Sequence, residues 1–224
     1  MDLNVFNEAL MALLWEGTVD TLYMTLASTF FAYVFGMMMA LVLVVTRSNG
    51  LSPHPVLFRI LDVVVNLTRS FPFLILMIAV IPFTRWLVGT TIGNNATVVP
   101  LVIAAAPFVA RLIEQSLLEV DRGVIEAAQS MGASTWQILY KVYIPEAMPS
   151  LINGSAIAAT TILGYSAMSG AVGGGGLGKL AIMYGYNRYQ NEMMIATVIL
   201  LIVIVQVLQS FGDWATHRSD KRSM

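Results

Sequence analysis

The sequence predicts an all-α integral membrane protein with five transmembrane helices, and three observations support that prediction. Apolar residues make up 57% of the 224 residues. Charged residues make up only 11%, whereas a typical globular chain carries about 25%. Three long stretches, 21–46, 147–178 and 193–212, contain no charged residue. Each can supply the roughly 20 apolar residues that a helix needs to cross a membrane.

The five spans are expected at about 18–46, 60–85, 95–117, 147–170 and 192–212, with residues 1–17 before them and a tail at 213–224. The second span is the least regular, because its uncharged run is too short alone and the helix must start before Arg69. Pro72 lacks a backbone N–H and is expected to kink that helix. An odd number of spans puts the two termini on opposite sides of the membrane.

Few charged residues fall inside the predicted spans. Asp62, Asn66 and Arg69 recur at i, i+4 and i+7 and therefore share one stripe of the second span. They either face the interior of the helix bundle and pair there, or mark a helix start that projects into the cytosol with Arg69 snorkelling. We favour the second interpretation. Arg111 and Glu114, three residues apart, are expected to form an ion pair at the inner boundary.

The placement of lysine and arginine predicts the orientation of the chain. The first 46 residues contain neither. With the N-terminus outside, eight basic residues lie in cytoplasmic segments: Arg47, Arg59, Arg111, Arg122, Lys141, Arg218, Lys221 and Arg222. The outer loops then hold only Arg85, Lys179 and Arg188. The bias predicts an outside N-terminus and a cytoplasmic C-terminus.

Residues 1–17 are expected to form a short amphipathic helix in the outer interface of the membrane. Apolar residues recur there at helical spacing: Leu3, Phe6, Leu10, Leu13 and Leu14, followed by Trp15. A disordered leader is the alternative. The segment has no positive n-region and no small-residue cleavage site, so we do not expect it to be a cleavable signal peptide.

The loop at 118–146, between the third and fourth spans, predicts a helix, a glycine turn and a second helix. Asp121 is a candidate N-cap, and Gly132 fits the left-handed position that ends a helix. Ser134 and Gln137 have the spacing of a capping box for the second helix. Pro145 marks the end of that helix or the hinge into the next span.

The first helix of this loop combines a carboxylate, Glu126, with two small residues, Ala127 and Ala128. Small side chains let a helix seat deeply in a groove of another protein, and a carboxylate can fix its orientation there. The alternative is an ordinary helical hairpin that packs on its own bundle.

The residues Glu126-Ala127-Ala128, Gly132 and Pro145 resemble the EAA loop of the membrane subunits of ATP-binding-cassette importers. The family pattern prefers leucine before the proline and isoleucine two places ahead of that leucine, whereas this chain reads Val-Tyr-Ile before Pro145. The departure is conservative. Five spans with an outside N-terminus also resemble the permease core of type I importers over nearly the whole chain.

This resemblance implies a non-catalytic transport subunit of a bacterial inner (plasma) membrane. Two copies would form the pathway, and two cytoplasmic ATPases would dock on the coupling helix through Glu126, Ala127, Ala128 and Gly132. An external substrate-binding (lipo)protein would deliver the cargo. This chain would bind no cofactor, because ATP and Mg would be held by the ATPase. ATP binding would draw the two coupling helices together and turn the spans from inward-open to outward-open.

The glycine run at 171–180 matches most of a phosphate-binding loop, with Gly173, Gly178 and Lys179 at the required spacing. The match fails at Leu180, where serine or threonine is needed, and no strand precedes the run. The expected topology also puts the run outside, away from cytoplasmic nucleotide. We therefore expect no ATP hydrolysis by this chain.

Gly173, Gly174, Gly175 and Gly176 are better explained as backbone that bends sharply or approaches another segment closely at the outer end of the fourth span. A flexible extracellular turn is the alternative. Residues 164–178 with 184–186 are similar to the corresponding part of bacterial methionine-uptake permeases. This narrower resemblance implies import of L-methionine, with D-methionine as a further substrate, or of another small amino acid.

The fourth span is the candidate wall of the pathway, because it is the span richest in small and polar residues. They are Asn153, Gly154, Ser155, Thr160, Thr161, Gly164, Ser166 and Ser169. Tyr165 and Met168 share a face, beside Gly164 and Ser169, and with their symmetry mates they form a candidate apolar gate. A thioether there suits methionine. Ordinary packing of Met168 is the alternative, since the chain has 14 methionines.

Other function classes find little support in the sequence. A secondary transporter or channel would predict internal repeats and intramembrane carboxylates, whereas the runs 21–46, 147–178 and 193–212 of the first, fourth and fifth spans carry no charge. The net charge of −1 offers no basic field for nucleic acid. Cysteine is absent and the two histidines, His54 and His217, are far apart, so neither a metal site nor a thiol nucleophile is expected.

Overall fold

The computed structural model describes the backbone of residues 3–219 and the side chains of residues 8–219. Within that range the regular elements are helical: α1 (Leu3–Thr46), α2 (Pro55–Ser70), α3 (Phe73–Ala79), α4 (Ile81–Val88), α5 (Asn94–Leu118), α6 (Arg122–Ser130), α7 (Thr135–Ile138), α8 (Ile144–Glu146), α9 (Met148–Ser169), α10 (Gly176–Leu180) and α11 (Asn191–Ser219). Leu139–Tyr143 and Ala181–Tyr186 are π-helical, and Gly170–Val172 is a 3₁₀ turn. Lys221 and Arg222, used in the orientation argument, lie outside these residues.

Four helices of the described chain are long and apolar enough to span a membrane: Glu8–Thr46, Asn94–Leu118, Met148–Val172 and Asn191–Ser219. The pair α2 and α3 makes a fifth span if its two pieces are counted together. Along α11 large apolar side chains are exposed: Ile195, Val198, Ile199, Ile202, Val203, Val207, Phe211 and Trp214. Exposed apolar surface of this extent calls for lipid or a partner, so the all-α membrane fold is confirmed.

The second span departs from the kinked helix expected over 60–85. The chain bends by 106° between α2 and α3, and α4 follows as a separate short helix. Phe71 is extended (φ −75°, ψ 131°), because the residue before a proline is sterically excluded from the helical region. Pro72 caps the start of α3. The proline therefore breaks the helix instead of kinking it.

The N-terminal segment is not a separate interfacial helix in the described residues, since α1 continues through it to Thr46. No proline interrupts the segment. Leu14 is buried, and Gly17 lies against Leu180, where an added Cβ would be 2.6 Å from the leucine Cδ1. Packing on α10 therefore holds this part of α1 in the bundle. The side chains of Leu3 and Phe6 lie outside the described part.

The chain divides into two compact units. Unit 1 comprises Met1–Phe30, Pro72–Ala104 and Ala159–Gln209, and unit 2 comprises Phe31–Phe71, Ala105–Ala158 and Ser210–Met224. Unit 1 has two apolar clusters: Leu14, Leu163, Leu177, Leu180, Met193 and Ile204; and Met24, Phe73, Met77 and Leu101. In unit 2, Tyr33 donates a 2.8 Å hydrogen bond to the carbonyl of Leu151. Gly36 there lies against Val109, so small residues bring helices close together.

Candidate functional site

Helix α6 has the start and end that the sequence predicts. The Asp121 side chain accepts a 2.7 Å hydrogen bond from the Gly123 N–H, which confirms the N-cap. At the other end Gly132 is left-handed (φ +80°). The Gly132 N–H bonds to the carbonyl of Gln129 and the Ala133 N–H to that of Ala128. These two bonds form a Schellman motif, which turns the chain sharply after α6.

The capping box of the second helix is also confirmed. The Ser134 N–H donates to Gln137 Oε1 at 2.8 Å, and the Gln137 N–H donates to Ser134 Oγ at 3.4 Å. Pro145 does not end this helix, because the helical path continues through a π segment and α8 to a single turn residue, Ala147, before α9. Proline has no backbone N–H to donate, and the π turn lets the helical path continue past it. Pro145 therefore belongs to the irregular passage into α9.

The two alanines of α6 have different environments. Ala128 is buried (6% exposed) beside Ile125, within unit 2. Ala127 is exposed and lies on one stripe with Val124 and Met131, at i, i+3 and i+7. Docking of Ala127 in a partner groove stays a prediction that its exposure allows, whereas Ala128 packs inside the unit and is not accessible to a partner.

Two further exposed aromatic side chains follow the Gly132 turn. Trp136 is 66% exposed and Tyr140 is exposed as well, with their ring centroids 6.1 Å apart. We call Val124, Ala127, Met131, Trp136 and Tyr140 the α6–α7 surface. Apolar side chains exposed together on a capped helix–turn–helix are typical of a protein interaction site.

A cavity of about 410 Å³ lies beside α6 in unit 2. Arg47, Arg122, Glu126 and Tyr143 line it, so the predicted site residue Glu126 faces both solvent and this cavity. Burial raises the pKa of the Tyr143 phenol, and the positive charge of Arg122 opposes that rise. The phenol therefore stays uncharged at neutral pH.

Arg111 joins α2 to α5 through a charged network in unit 2. Its guanidinium pairs with Glu114, as predicted, and also with Asp62. It donates to Asn66 Oδ1 at 3.0 Å, and Asn66 Nδ2 donates to Asp62 Oδ2 at 3.2 Å. Asp62 and Asn66 are therefore paired, as the first interpretation expects, although Asn66 itself is exposed. Arg69 is exposed and has no ion pair with the described residues.

The glycine run is a packed bend, not a flexible turn. Gly173 and Gly176 are left-handed (φ +98° and +75°), and Gly174–Gly178 are buried. The Gly93 N–H donates to the Gly173 carbonyl at 3.0 Å, and the Leu177 N–H donates to Thr21 Oγ1 at 2.8 Å. The expectation of sharp bending with close approach is confirmed. We call Gly173, Gly174, Gly175 and Gly176 the glycine cradle.

The four predicted gate residues of α9 do not share one environment. Tyr165 stacks on Phe73, with centroids 4.6 Å apart and rings 4° from parallel. Ser169 is buried and donates to the Ser166 carbonyl at 2.6 Å. Gly164 and Met168 are exposed, the latter by 52%. Of the four, only Gly164 and Met168, at i and i+4, form an exposed face. No feature of the sequence marks Phe73 as the partner of Tyr165.

Among residues 8–219 no group of three or more histidine, cysteine or acidic side chains is arranged to hold a metal ion. The described geometry thus offers helices that can span a membrane, an exposed apolar helix–turn–helix and a tightly packed glycine bend. These features define a multi-pass membrane protein with an exposed helix–turn–helix.

The sequence comparison identifies the family. The chain belongs to the family of binding-protein-dependent transport system inner membrane components, whose pattern matches residues 32–223. It is 50% identical, over 94% of this chain and 93% of the relative, to the probable D-methionine transport system permease protein MetI of Vibrio cholerae. It is 46% identical, over 93% of this chain and 94% of the relative, to the methionine import system permease protein MetP of Bacillus subtilis.

The structural comparison agrees. An inward-facing crystal form of the MetNI methionine ABC transporter superposes with a TM-score of 0.94 at 44% identity, over 96% of this chain and 99% of the matched chain. An amino acid ABC transporter crystallised with histidines shares the fold, with a TM-score of 0.78 at 21% identity over 97% of this chain and 99% of that chain. The type I ABC permease fold is confirmed.

Proposed function

We propose that this chain is the membrane subunit of an ATP-driven methionine importer. The α6–α7 surface carries this proposal, because it leaves apolar residues exposed on a helix–turn–helix that is otherwise fully capped. Such a surface suits the cleft of a cytoplasmic ATPase. Ala127, without a long side chain, allows close approach of the α6 backbone, and Glu126 fixes the orientation.

The named relatives support methionine as the substrate. Two of them, at 50% and 46% identity over more than nine-tenths of this chain, carry D-methionine or methionine transport in their names. L-Methionine and D-methionine are both candidate substrates. The chain itself performs no catalysis in this proposal, since ATP and Mg are held by the two ATPase subunits.

The pathway is formed by two copies of the chain around the exposed face of α9. Gly164 has nothing within 4 Å of its would-be Cβ, and Met168 extends from the same face. Close approach at Gly164 and a flexible thioether at Met168 suit a gate between symmetry mates. An external binding protein delivers methionine, and the N-terminus lies outside, as the lysine and arginine bias predicts.

In the transport cycle, closure of the ATPase pair on ATP moves the two α6–α7 surfaces towards each other. Each surface leads through the π segment and Pro145 into α9, so its displacement reaches the pathway helix directly. The spans then change from inward-open to outward-open and accept substrate from the binding protein. Hydrolysis reverses the movement.

The test is uptake of labelled methionine into proteoliposomes. We expect uptake only when this chain, the ATPase, ATP and the binding protein are all present. Glu126→Lys should abolish ATPase association and uptake while membrane insertion stays intact, whereas Glu8→Lys, at an exposed site of α1, should behave as wild type. Uptake without ATPase would contradict the proposal, as would strong competition by unrelated amino acids but not by methionine.

A further inference from the structure

Unit 1 contains a cavity of about 300 Å³ that the proposed transport cycle does not use. Four of its lining side chains carry a charge or an amide: Glu16 and Asp20 of α1, Asn94 of α5 and Lys179 of α10. The rest of the lining includes Leu13, Met183 and the ring of Tyr184, together with the glycine cradle. Three charged side chains, Glu16, Asp20 and Lys179, therefore surround one small cavity.

The glycine cradle creates the space in which these groups meet. A Cβ at Gly175 would lie 3.0 Å from Asn94 Cγ and 3.4 Å from Asp20 Oδ2. It would lie still closer to Asn94 Oδ1. Two acceptor oxygens therefore converge above the backbone of Gly175. Any side chain at this position would fill the point where they converge.

The charged groups of the cavity are free to bind a ligand. Glu16, Asp20 and Lys179 have no ion pair with the described side chains. Asp20 is half-buried, and its carboxylate gains more from a charged partner there than it would in open water. The cavity thus presents an acidic end with an amide oxygen, a basic side chain and an apolar wall.

This combination matches the chemistry of a free amino acid. An α-ammonium group donates to carboxylate and amide oxygens, an α-carboxylate pairs with a lysine ammonium, and an apolar side chain packs on an apolar wall. The volume is at the lower end of the range for small-ligand pockets, about 300–1,000 Å³. A nucleotide or a peptide would need more space.

We infer that this cavity binds a free apolar amino acid, with its ammonium on Asp20 and Asn94, its carboxylate on Lys179 and its side chain against Leu13 and Met183. The identification of the amino acid as methionine rests on the proposed function. With the proposed orientation, the site lies at the outer mouth of the chain. It holds substrate on the permease itself after delivery by the binding protein.

The test uses the permease–ATPase complex in nanodiscs, without binding protein, and radiolabelled L-methionine. Asp20→Asn and Lys179→Gln should each weaken binding at this site by about tenfold or more, as expected for loss of one charge-assisted hydrogen bond. Glu8→Gln and Arg85→Gln, at exposed positions outside the cavity, are the matched controls and should change nothing. N-Acetylmethionine and methioninamide, which lack the ammonium and the carboxylate respectively, should compete poorly.

Photoreactive methionine locates the site directly. Its adducts in the wild-type complex should map to peptides containing residues 13–20 or 173–184, and excess methionine should remove them. Adducts only elsewhere on the complex, or equal affinity in wild type, D20N and K179Q, would overturn the inference. These failures leave methionine uptake by the full importer intact, whereas the absence of uptake with unaltered cavity labelling would contradict the proposed function alone.

Discussion

Removal of the Arg111 guanidinium tests the charged network between α2 and α5. Arg111→Met keeps the length and the apolar stem of the side chain but removes the charge that Asp62 and Glu114 share. Glu114 is only 5% exposed, so its carboxylate cannot turn to water. The variant therefore leaves a buried charge without compensation.

The size of the effect follows from that burial. Breaking a buried ion pair by removing one partner costs about 3–5 kcal/mol. For a chain of 150–250 residues each kcal/mol lowers Tm by roughly 2–4 °C, so R111M should lower Tm by roughly 6–20 °C. Thermal unfolding of the purified chain in detergent, followed by intrinsic tryptophan fluorescence, measures this shift.

Arg69→Met is the matched control, because Arg69 is exposed and has no ion pair with the described residues. It should change the free energy of unfolding by no more than about 0.5 kcal/mol. Adding Glu114→Gln to R111M removes the stranded charge and should restore part of the stability. Equal Tm values for R111M and R69M would refute the assigned network.

Three further predictions concern the turn, the cradle and the cavity beside α6. Gly132→Ala should lower the free energy of unfolding by about 1–2 kcal/mol, because the backbone of residue 132 is left-handed. Nothing lies within 4 Å of the added Cβ, so no clash adds to this loss. Gly132→Asn should lower the free energy of unfolding by less in the same assay. Gly174→Ala puts a Cβ 2.9 Å from the backbone carbon and oxygen of Ser169, so we expect a lower Tm and altered protease sensitivity of this bend. Because burial raises the pKa of Tyr143, its phenol stays protonated from pH 7 to 9. Wild type and Tyr143→Phe should therefore bind the ATPase with the same pH profile. Divergent profiles would contradict this prediction.

Local features of the loop were predictable from the sequence because their chemistry lies within a few residues. Asp121, Gly132 and the Ser134–Gln137 pair each satisfy backbone groups of the helix end beside them. Their spacing therefore determines the structure without reference to the rest of the chain. The same holds for the four apolar stretches that form spanning helices.

Features that depend on distant segments were not predictable in this way. Asp62 and Arg111 are 49 residues apart, and no spacing rule connects a single carboxylate with a single guanidinium at that distance. The burial of Ala128 beside an exposed Ala127 depends on what packs against α6. Pro72 was recognised as a disturbance, but a helix break and a kink leave the same mark in the sequence.

The same distinction between local and long-range features applies to the site residues. The Glu-Ala-Ala residues and Gly132 were found by their pattern, whereas Trp136 and Tyr140 of the α6–α7 surface became candidates only through their exposure. The cavity above Gly175 combines residues from three separate stretches of the chain. No motif marks Glu16, Asp20 or Lys179 in the sequence, and only the folded chain brings them to one cavity.

Single-cysteine labelling measures the central claim most directly, because the chain contains no cysteine. In Ala127→Cys, a membrane-impermeant maleimide should react only from the cytoplasmic side, and bound ATPase should block the reaction. Ala128→Cys, at a buried position of the same helix, should react slowly with or without ATPase. Labelling of residue 127 from the exterior, or labelling that is as fast with bound ATPase as without it, would contradict the account.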